Sequence, residues 1–166
     1  MYPKDAYCDT CKLHKPPRSK HCSVCGVCVP HFDHHCVWLN RCVTKHNYLI
    51  FLAFVFQHVL ICAYGSICYI LALMGELYKD QVLQFKNGEL DIFDQYSTIE
   101  LPLVMLKYVI NFNWENKIMG TLAMFDMSCA LTLPFFLLYH LRCALINRTT
   151  NEDVKSARLH FGLKNQ

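Results

Sequence analysis

No apolar stretch follows Met1, and residues 1–47 are polar and cysteine-rich, so no N-terminal signal peptide is expected. Charge is absent from the 26 residues between Tyr48 and Leu73, and between Ile118 and Ile146 only Asp126 and Arg142 carry any. A bilayer core about 30 Å thick needs roughly 20 apolar residues in a helix, so each run is long enough to cross it. Neither run is amphipathic. A chain of 166 residues, at most one modest domain by length, could not bury both runs on all sides. The expected fold class is therefore a membrane protein: α-helical transmembrane segments with a small cytosolic zinc-binding, cysteine-rich domain. The expected divisions are 1–47 for that domain, 48–73 for one transmembrane helix, 74–117 for a luminal or extracellular loop, 118–146 for a second helix, and 147–166 for a cytosolic tail.

The net charge of +3 conceals an asymmetry. Residues 1–47 carry seven Lys and Arg against three acids, the loop 74–117 carries four against seven, and the tail from Arg142 carries five against two. Lys and Arg near helix ends stay on the cytosolic side. Both termini are thus expected in the cytosol, with the acidic loop opposite. The only N-x-S/T sequon, at Asn147, falls on the cytosolic side and is expected to be unglycosylated. Seven cysteines crowd between residues 8 and 42. In a reducing compartment this argues for metal or catalysis rather than a disulfide framework.

The spacing carries more. "CDTC" supplies Cys8 and Cys11, "HCSVCGVC" supplies His21, Cys22, Cys25 and Cys28, "DHHC" supplies His34, His35 and Cys36, and "NRC" supplies Cys42. Pairs of this kind suit tetrahedral zinc with thiolate and imidazole ligands. Two ions need eight ligands. Seven cysteines and one histidine would make a purely structural module, whereas six cysteines and two histidines leave one thiol over. Adjacent ligands such as His21 and Cys22 point different ways, which favours interleaved sites: Cys8, Cys11, His21 and Cys28 on one, Cys22, Cys25, His35 and Cys42 on the other. Cys36 is then spare. Beside His34 and Asp33 it has the parts of an activated nucleophile, because an imidazolium lowers a thiol pKa and an acid can hold the imidazole's tautomer. Spacing alone leaves catalysis and a structural zinc knuckle both open. A nucleic-acid zinc finger also fits the spacing and the basic charge, but two membrane helices argue against a nucleic-acid partner.

The segment "YCDTCKLHKPPRSKHCSVCGVCVPHFDHHCVWLNRC" closely resembles the cysteine-rich domain of the DHHC protein S-acyltransferases, or palmitoyltransferases. A second signature of that family, T-T-x-E after the last membrane helix, is present as Thr149-Thr150-Asn151-Glu152. The resemblance covers about residues 7–152. It implies Cys36 as acyl-accepting nucleophile, His34 as general base, Asp33 as orienting acid, and the eight interleaved ligands around two structural zinc ions. It further implies that Thr149 and Thr150 hydrogen-bond near Asp33, that Trp38 lines the mouth of the acyl cavity, and that Lys15, Arg18 and Lys20 meet the phosphates of coenzyme A. The implied co-substrate is an acyl-CoA, typically palmitoyl-CoA. Cysteines of membrane-associated proteins would receive the chain, at the lipid bilayer of the ER, Golgi or plasma membrane.

Some features depart from the family pattern. The family usually has at least four membrane helices, two of them before the cysteine-rich domain, so the chain is expected to be a fragment of a longer enzyme or an impaired short form. The alternative function is accordingly a zinc-stabilised membrane adaptor. Thr44 stands where the family commonly has Gly, which implies a different local turn. Within the apolar runs, Gln57, His58 and Asp126 are polar, and Pro134 is expected to kink its helix. Cys62, Cys68, Cys129 and Cys143 are expected in packing roles. "IELPLVMLKYVINFNW" reads either as an interfacial helix anchored by Trp114 or as a segment folded against the loop.

Overall fold

The computed structural model describes residues 6–86, 101–160 and 162. Six short strands come first: β1 Tyr7–Cys8, β2 Leu13–His14, β3 Lys20–Cys22, β4 Val27–Val29, β5 Phe32–Cys36 and β6 Arg41–Thr44. Four helices follow: α1 Tyr48–Lys86, α2 Leu101–Glu115, α3 Lys117–Leu145 and α4 Thr150–His160. The chain divides into two compact units, one of residues 1–57 and 135–166 and the other of residues 58–134.

In the first unit the strands pair as three antiparallel hairpins, β1 with β2, β3 with β4 and β5 with β6. Their brevity follows from the C-x-x-C spacing, which turns the chain before a strand can lengthen. Gly26 makes one such turn at φ +68°, a conformation glycine adopts without steric cost. Asn47 joins the hairpins to the membrane helix. Its Oδ1 accepts from the Thr44 amide at 2.7 Å, its Nδ2 donates to the Cys42 carbonyl at 3.0 Å, and its own carbonyl accepts the first bond of α1 from Phe51. Thr44 lies in β6 opposite Phe32, and its φ is not among the positive values, so this turn does not require glycine. Against this joint lies a small apolar core of Cys36, Val43, Phe51, Leu52 and Val55.

Helix α3 ends in an αL residue, Asn147 at φ +51°. The Asn147 amide donates to the Ala144 carbonyl and the Arg148 amide to the Cys143 carbonyl, the paired bonds of a Schellman cap. Two residues later α4 begins with a capping box. The Thr149 hydroxyl accepts from the Glu152 amide at 3.3 Å, and the Glu152 carboxylate accepts from the Thr149 amide at 3.0 Å.

Among the described residues, two stretches, Tyr48–Lys79 and Lys117–Leu145, are long and apolar enough to cross a membrane. Only 17% and 6% of their most apolar windows are buried, so their apolar faces do not form the core of a soluble fold. Helix α1 runs well beyond Leu73 because Met74, Glu76, Leu77 and Lys79 are good helix formers and nothing before Lys86 breaks it.

In the second unit Tyr69 of α1 donates to Asn113 of α2 at 2.8 Å and packs on the buried Phe112. The segment around Trp114 is therefore a helix that packs on α1, with the Trp114 indole exposed beneath the Lys117 ammonium. Ile99 and Glu100 of that segment lie outside the described residues. Asp126 lies against Gly65, its Oδ2 only 2.5 Å from where a β-carbon would stand. Pro134 sits inside α3, at the boundary of the two units.

Candidate active site and metal clusters

Successive side chains of a strand point to opposite faces, and that alternation sorts the ligands. His21 pairs across the β3–β4 hairpin with Cys28, while its neighbour Cys22 faces the other way. His35 pairs likewise with Cys42 across β5–β6. Two groups result, Cys8, Cys11, His21 and Cys28, and Cys22, Cys25, His35 and Cys42, with all donor atoms of each group within 4.8 Å of one another.

In the first group the His21 Nδ1 lies 3.6, 3.3 and 3.9 Å from the sulfurs of Cys8, Cys11 and Cys28. In the second, the His35 Nδ1 lies 3.6, 3.4 and 3.7 Å from Cys22, Cys25 and Cys42, and the Cys25 and Cys42 sulfurs are 3.5 Å apart. A tetrahedral zinc with Zn–S about 2.3 Å and Zn–N about 2.0 Å requires N···S edges near 3.6 Å and S···S edges near 3.8 Å. Both groups fit a zinc ion of that geometry. Burial, then hydrogen bonding and charge from the other cysteines of its group, pushes the Cys28 thiol up to about 12, and Cys42 behaves the same way. Such thiols become ligands only when a cation compensates their charge.

The face of β5 opposite His35 carries His34 and Cys36, two residues apart and therefore on the same side. Val43, the cross-strand partner of His34, is fully buried, and Cys36 lies with it in the core against Phe51, Leu52 and Val55. Asp33 would face away from both in a regular strand. A bulge intervenes: Phe32 pairs with Thr44 and His34 with Val43, so Asp33 is an extra residue on β5. It lets neighbouring side chains converge, and the His34 Nδ1 donates to the Asp33 Oδ2 at 2.7 Å. The edge of the His34 ring meets Phe51 at 4.9 Å between centroids.

Asp33 is only 2% exposed and accepts three hydrogen bonds. Besides His34, the Thr150 amide donates to its Oδ1 at 2.6 Å and the Thr150 hydroxyl to its Oδ2 at 2.7 Å. Thr150 opens α4, so the carboxylate also sits at the positive end of a helix. Burial pushes the Asp33 carboxyl up, but the bonds from His34 and Thr150 outweigh it and hold the pKa below its ordinary value.

Next to this clamp, the Arg18 Nε and Nη2 donate to the two oxygens of Glu152 at 2.6 Å each, and Nη2 also reaches the Asn147 carbonyl at 3.0 Å. The T-T-x-E signature thus has a physical meaning. Its first Thr and its Glu cap α4, its second Thr holds Asp33, and the Glu carries an arginine of the cysteine-rich segment.

The other sequence-derived residues are placed as follows. Lys20 lies over the Phe32 ring at 5.2 Å and lines a cavity of about 410 Å³ with Asp33, His34 and Thr150. Lys15 is half-buried and Trp38 is exposed, at 85%. Arg18, expected at a coenzyme phosphate, is engaged by Glu152. Sequence reasoning passed over Tyr48 and His140. His140 is buried at 2% and bonded to Tyr48, and its ring lies 5.7 Å from that of His34. Its polarity within an apolar run was the available signal, as it was for Gln57, His58 and Asp126.

Paired Cys/His metal-ligand knuckles joined to apolar membrane helices, with a thiol, an imidazole and a clamped carboxylate on one strand, define a class of membrane proteins built on two Cys/His clusters. The family model for the DHHC palmitoyltransferases matches residues 1–157, and the chain belongs to that family. It is 33% identical to palmitoyltransferase ZDHHC4 of Rattus norvegicus, over 92% of this chain and 43% of that protein. Palmitoyltransferase SWF1 of Yarrowia lipolytica is 29% identical over 98% of this chain and 40% of its own length. Palmitoyltransferase ERF2 of the same yeast is 38% identical over 60% of this chain and 22% of its own. The chain therefore spans less than half the length of these curated relatives.

Proposed function

We propose that the chain carries the reaction centre of a protein S-acyltransferase. The Asp33–His34 hydrogen bond, clamped by Thr150 on the strand that also bears Cys36, is the observation that carries this reading. Asp33 holds His34 with its Nδ1 protonated, which leaves Nε2 as the base. His34 takes the Cys36 proton, and the Cys36 sulfur attacks the thioester carbon of an acyl-CoA. The bond to the coenzyme sulfur breaks, and that sulfur leaves with the proton held by His34. The acyl group is now on Cys36 as a thioester. A cysteine of a membrane-associated protein repeats the exchange, giving its proton to His34 and displacing the Cys36 sulfur.

Cys36 already lies among Phe51, Leu52 and Val55, which suits an acyl chain gaining about 0.8 kcal/mol per buried CH₂. Lys20, at the cavity beside His34, and the half-buried Lys15 would supply positive charge for coenzyme phosphates, and the exposed Trp38 would flank the acyl entrance. Arg18 serves the α4 contact first. Zinc at the two clusters would supply a closed structural crosslink that holds the three hairpins in register. Excess positive charge before the first membrane segment and after the second, with an acidic stretch between them, supports cytosolic termini.

Incubation of the purified chain with palmitoyl-CoA tests this reading. A hydroxylamine-sensitive acyl adduct on wild type, absent from Cys36→Ser, is expected. No adduct on a folded, zinc-loaded wild type in membranes would overturn it in favour of an adaptor.

A further inference from the structure

Behind the Asp33–His34 pair stands a second hydrogen-bonded pair that the reaction scheme does not use. His140 lies on α3 and Tyr48 at the first residue of α1, so the pair ties the two membrane helices together where they meet the hairpins. The Tyr48 hydroxyl is 2.9 Å from the His140 Nδ1 and 3.1 Å from the His140 carbonyl. A carbonyl can only accept, so the single hydroxyl proton goes there, and the Tyr48 oxygen then accepts from Nδ1–H. The Nδ1–H tautomer of His140 satisfies both contacts, whereas the other tautomer leaves one unmade.

Five rings are packed around this imidazole: Phe136 at 4.5 Å, Phe51 at 4.8 Å, Tyr139 at 5.5 Å, His34 at 5.7 Å and Tyr48 at 6.0 Å. Phe51 meets both histidine rings, His34 at 4.9 Å and His140 at 4.8 Å. His34 is thus fixed at one ring nitrogen by Asp33 and packed against an aromatic wall, Phe51 and His140, whose own orientation Tyr48 sets. A phenyl ring at position 140 would fill the space, but without the bond to Tyr48 nothing would fix its rotation.

We infer that Tyr48 and His140 act together as positioning residues that hold the His34 imidazole in its working orientation toward Cys36. This rests on the acyltransferase reading above for the reaction, but not for the geometry. Full-length chain in membranes is compared as wild type, Tyr48→Phe, His140→Phe and the double variant, with zinc content and helicity confirming the fold. Two rates are read: acylation of Cys36 by palmitoyl-CoA, and alkylation of Cys36 by iodoacetamide, followed on its own peptide by mass spectrometry. Each single variant is expected to slow both rates about tenfold or more, as loss of alignment does. The double variant should be no slower than the slower single one, and KM for palmitoyl-CoA should stay unchanged while kcat falls.

Wild-type rates in the single variants, additive losses in the double variant, or a rise in KM alone would overturn the inference. If wild type forms no acyl adduct, yet alkylation slows equally in all three variants, the positioning role stands and the acyltransferase reading falls. If wild type acylates and the variants match it, the reverse holds.

Discussion

Thr150 donates twice to Asp33 across 117 residues of chain, from its amide at 2.6 Å and its hydroxyl at 2.7 Å. The acid of the D-H-H-C motif is therefore fixed by α4, the helix that follows the second apolar segment. Thr150→Val should remove the hydroxyl bond and leave the amide bond. A hydrogen bond to a charged acceptor is worth about 1.5–3 kcal/mol, so the acylation rate should fall by roughly 10- to 100-fold with both zinc ions retained. Single-turnover acylation of Cys36 measures this; an unchanged rate would show that the hydroxyl is dispensable.

The Arg18–Glu152 pair joins the same two regions through two bonds, with side-chain exposures of 29% and 9%. Removing one member leaves the other charge partly buried. Arg18→Gln is expected to destabilise the first unit by about 2 kcal/mol. Limited proteolysis should then cut near α4 sooner than in wild type.

Neighbouring histidines of one motif should behave oppositely toward metal. His35→Ala removes an Nδ1 that stands 3.4–3.7 Å from three sulfurs and should lower bound zinc from two ions to one. His34→Ala, on the opposite face of β5, should keep both and lose acylation. Metal analysis of the purified variants separates the cases, and equal zinc in the two would contradict the division of faces.

Acid should loosen α4 with a defined sign. Burial pushes the Glu152 carboxyl up, but the bonds from Arg18 and the Thr149 amide outweigh it, so its pKa lies below the ordinary 4.5. A depressed carboxyl contributes stability that is full above the unfolded value and is lost as pH falls through the folded one. The stability difference between wild type and Glu152→Gln should thus be constant near neutrality and shrink below pH 4.5. Denaturant titrations at several pH values measure the difference, in which the protonation of zinc ligands cancels.

Local chemistry made much of this legible in the sequence. Charge-free runs mark helices because a bilayer leaves no alternative for long uncharged segments. Adjacent ligands such as His21 and Cys22 pointed to two interleaved metal groups because strand side chains alternate, and the donor atoms gather in those groups. Less legible was Arg18. The family resemblance suggested a phosphate partner, and the carboxylate that it holds in this structure, Glu152, lies 134 residues away. A separation of 92 residues likewise hid the Tyr48–His140 pair, since neither residue carries a local pattern that predicts the other.

By itself, the sequence determined the two apolar segments and favoured two interleaved Cys/His groups with one thiol beyond them, because spacing and charge act over a few residues. Tertiary structure decided which way the motif acid faces. A bulge in β5 turned Asp33 toward its neighbour His34, and the start of α4 supplied the donors that hold it. Both depend on strand pairing and helix docking, where partners far apart in the chain share one hydrogen-bond network.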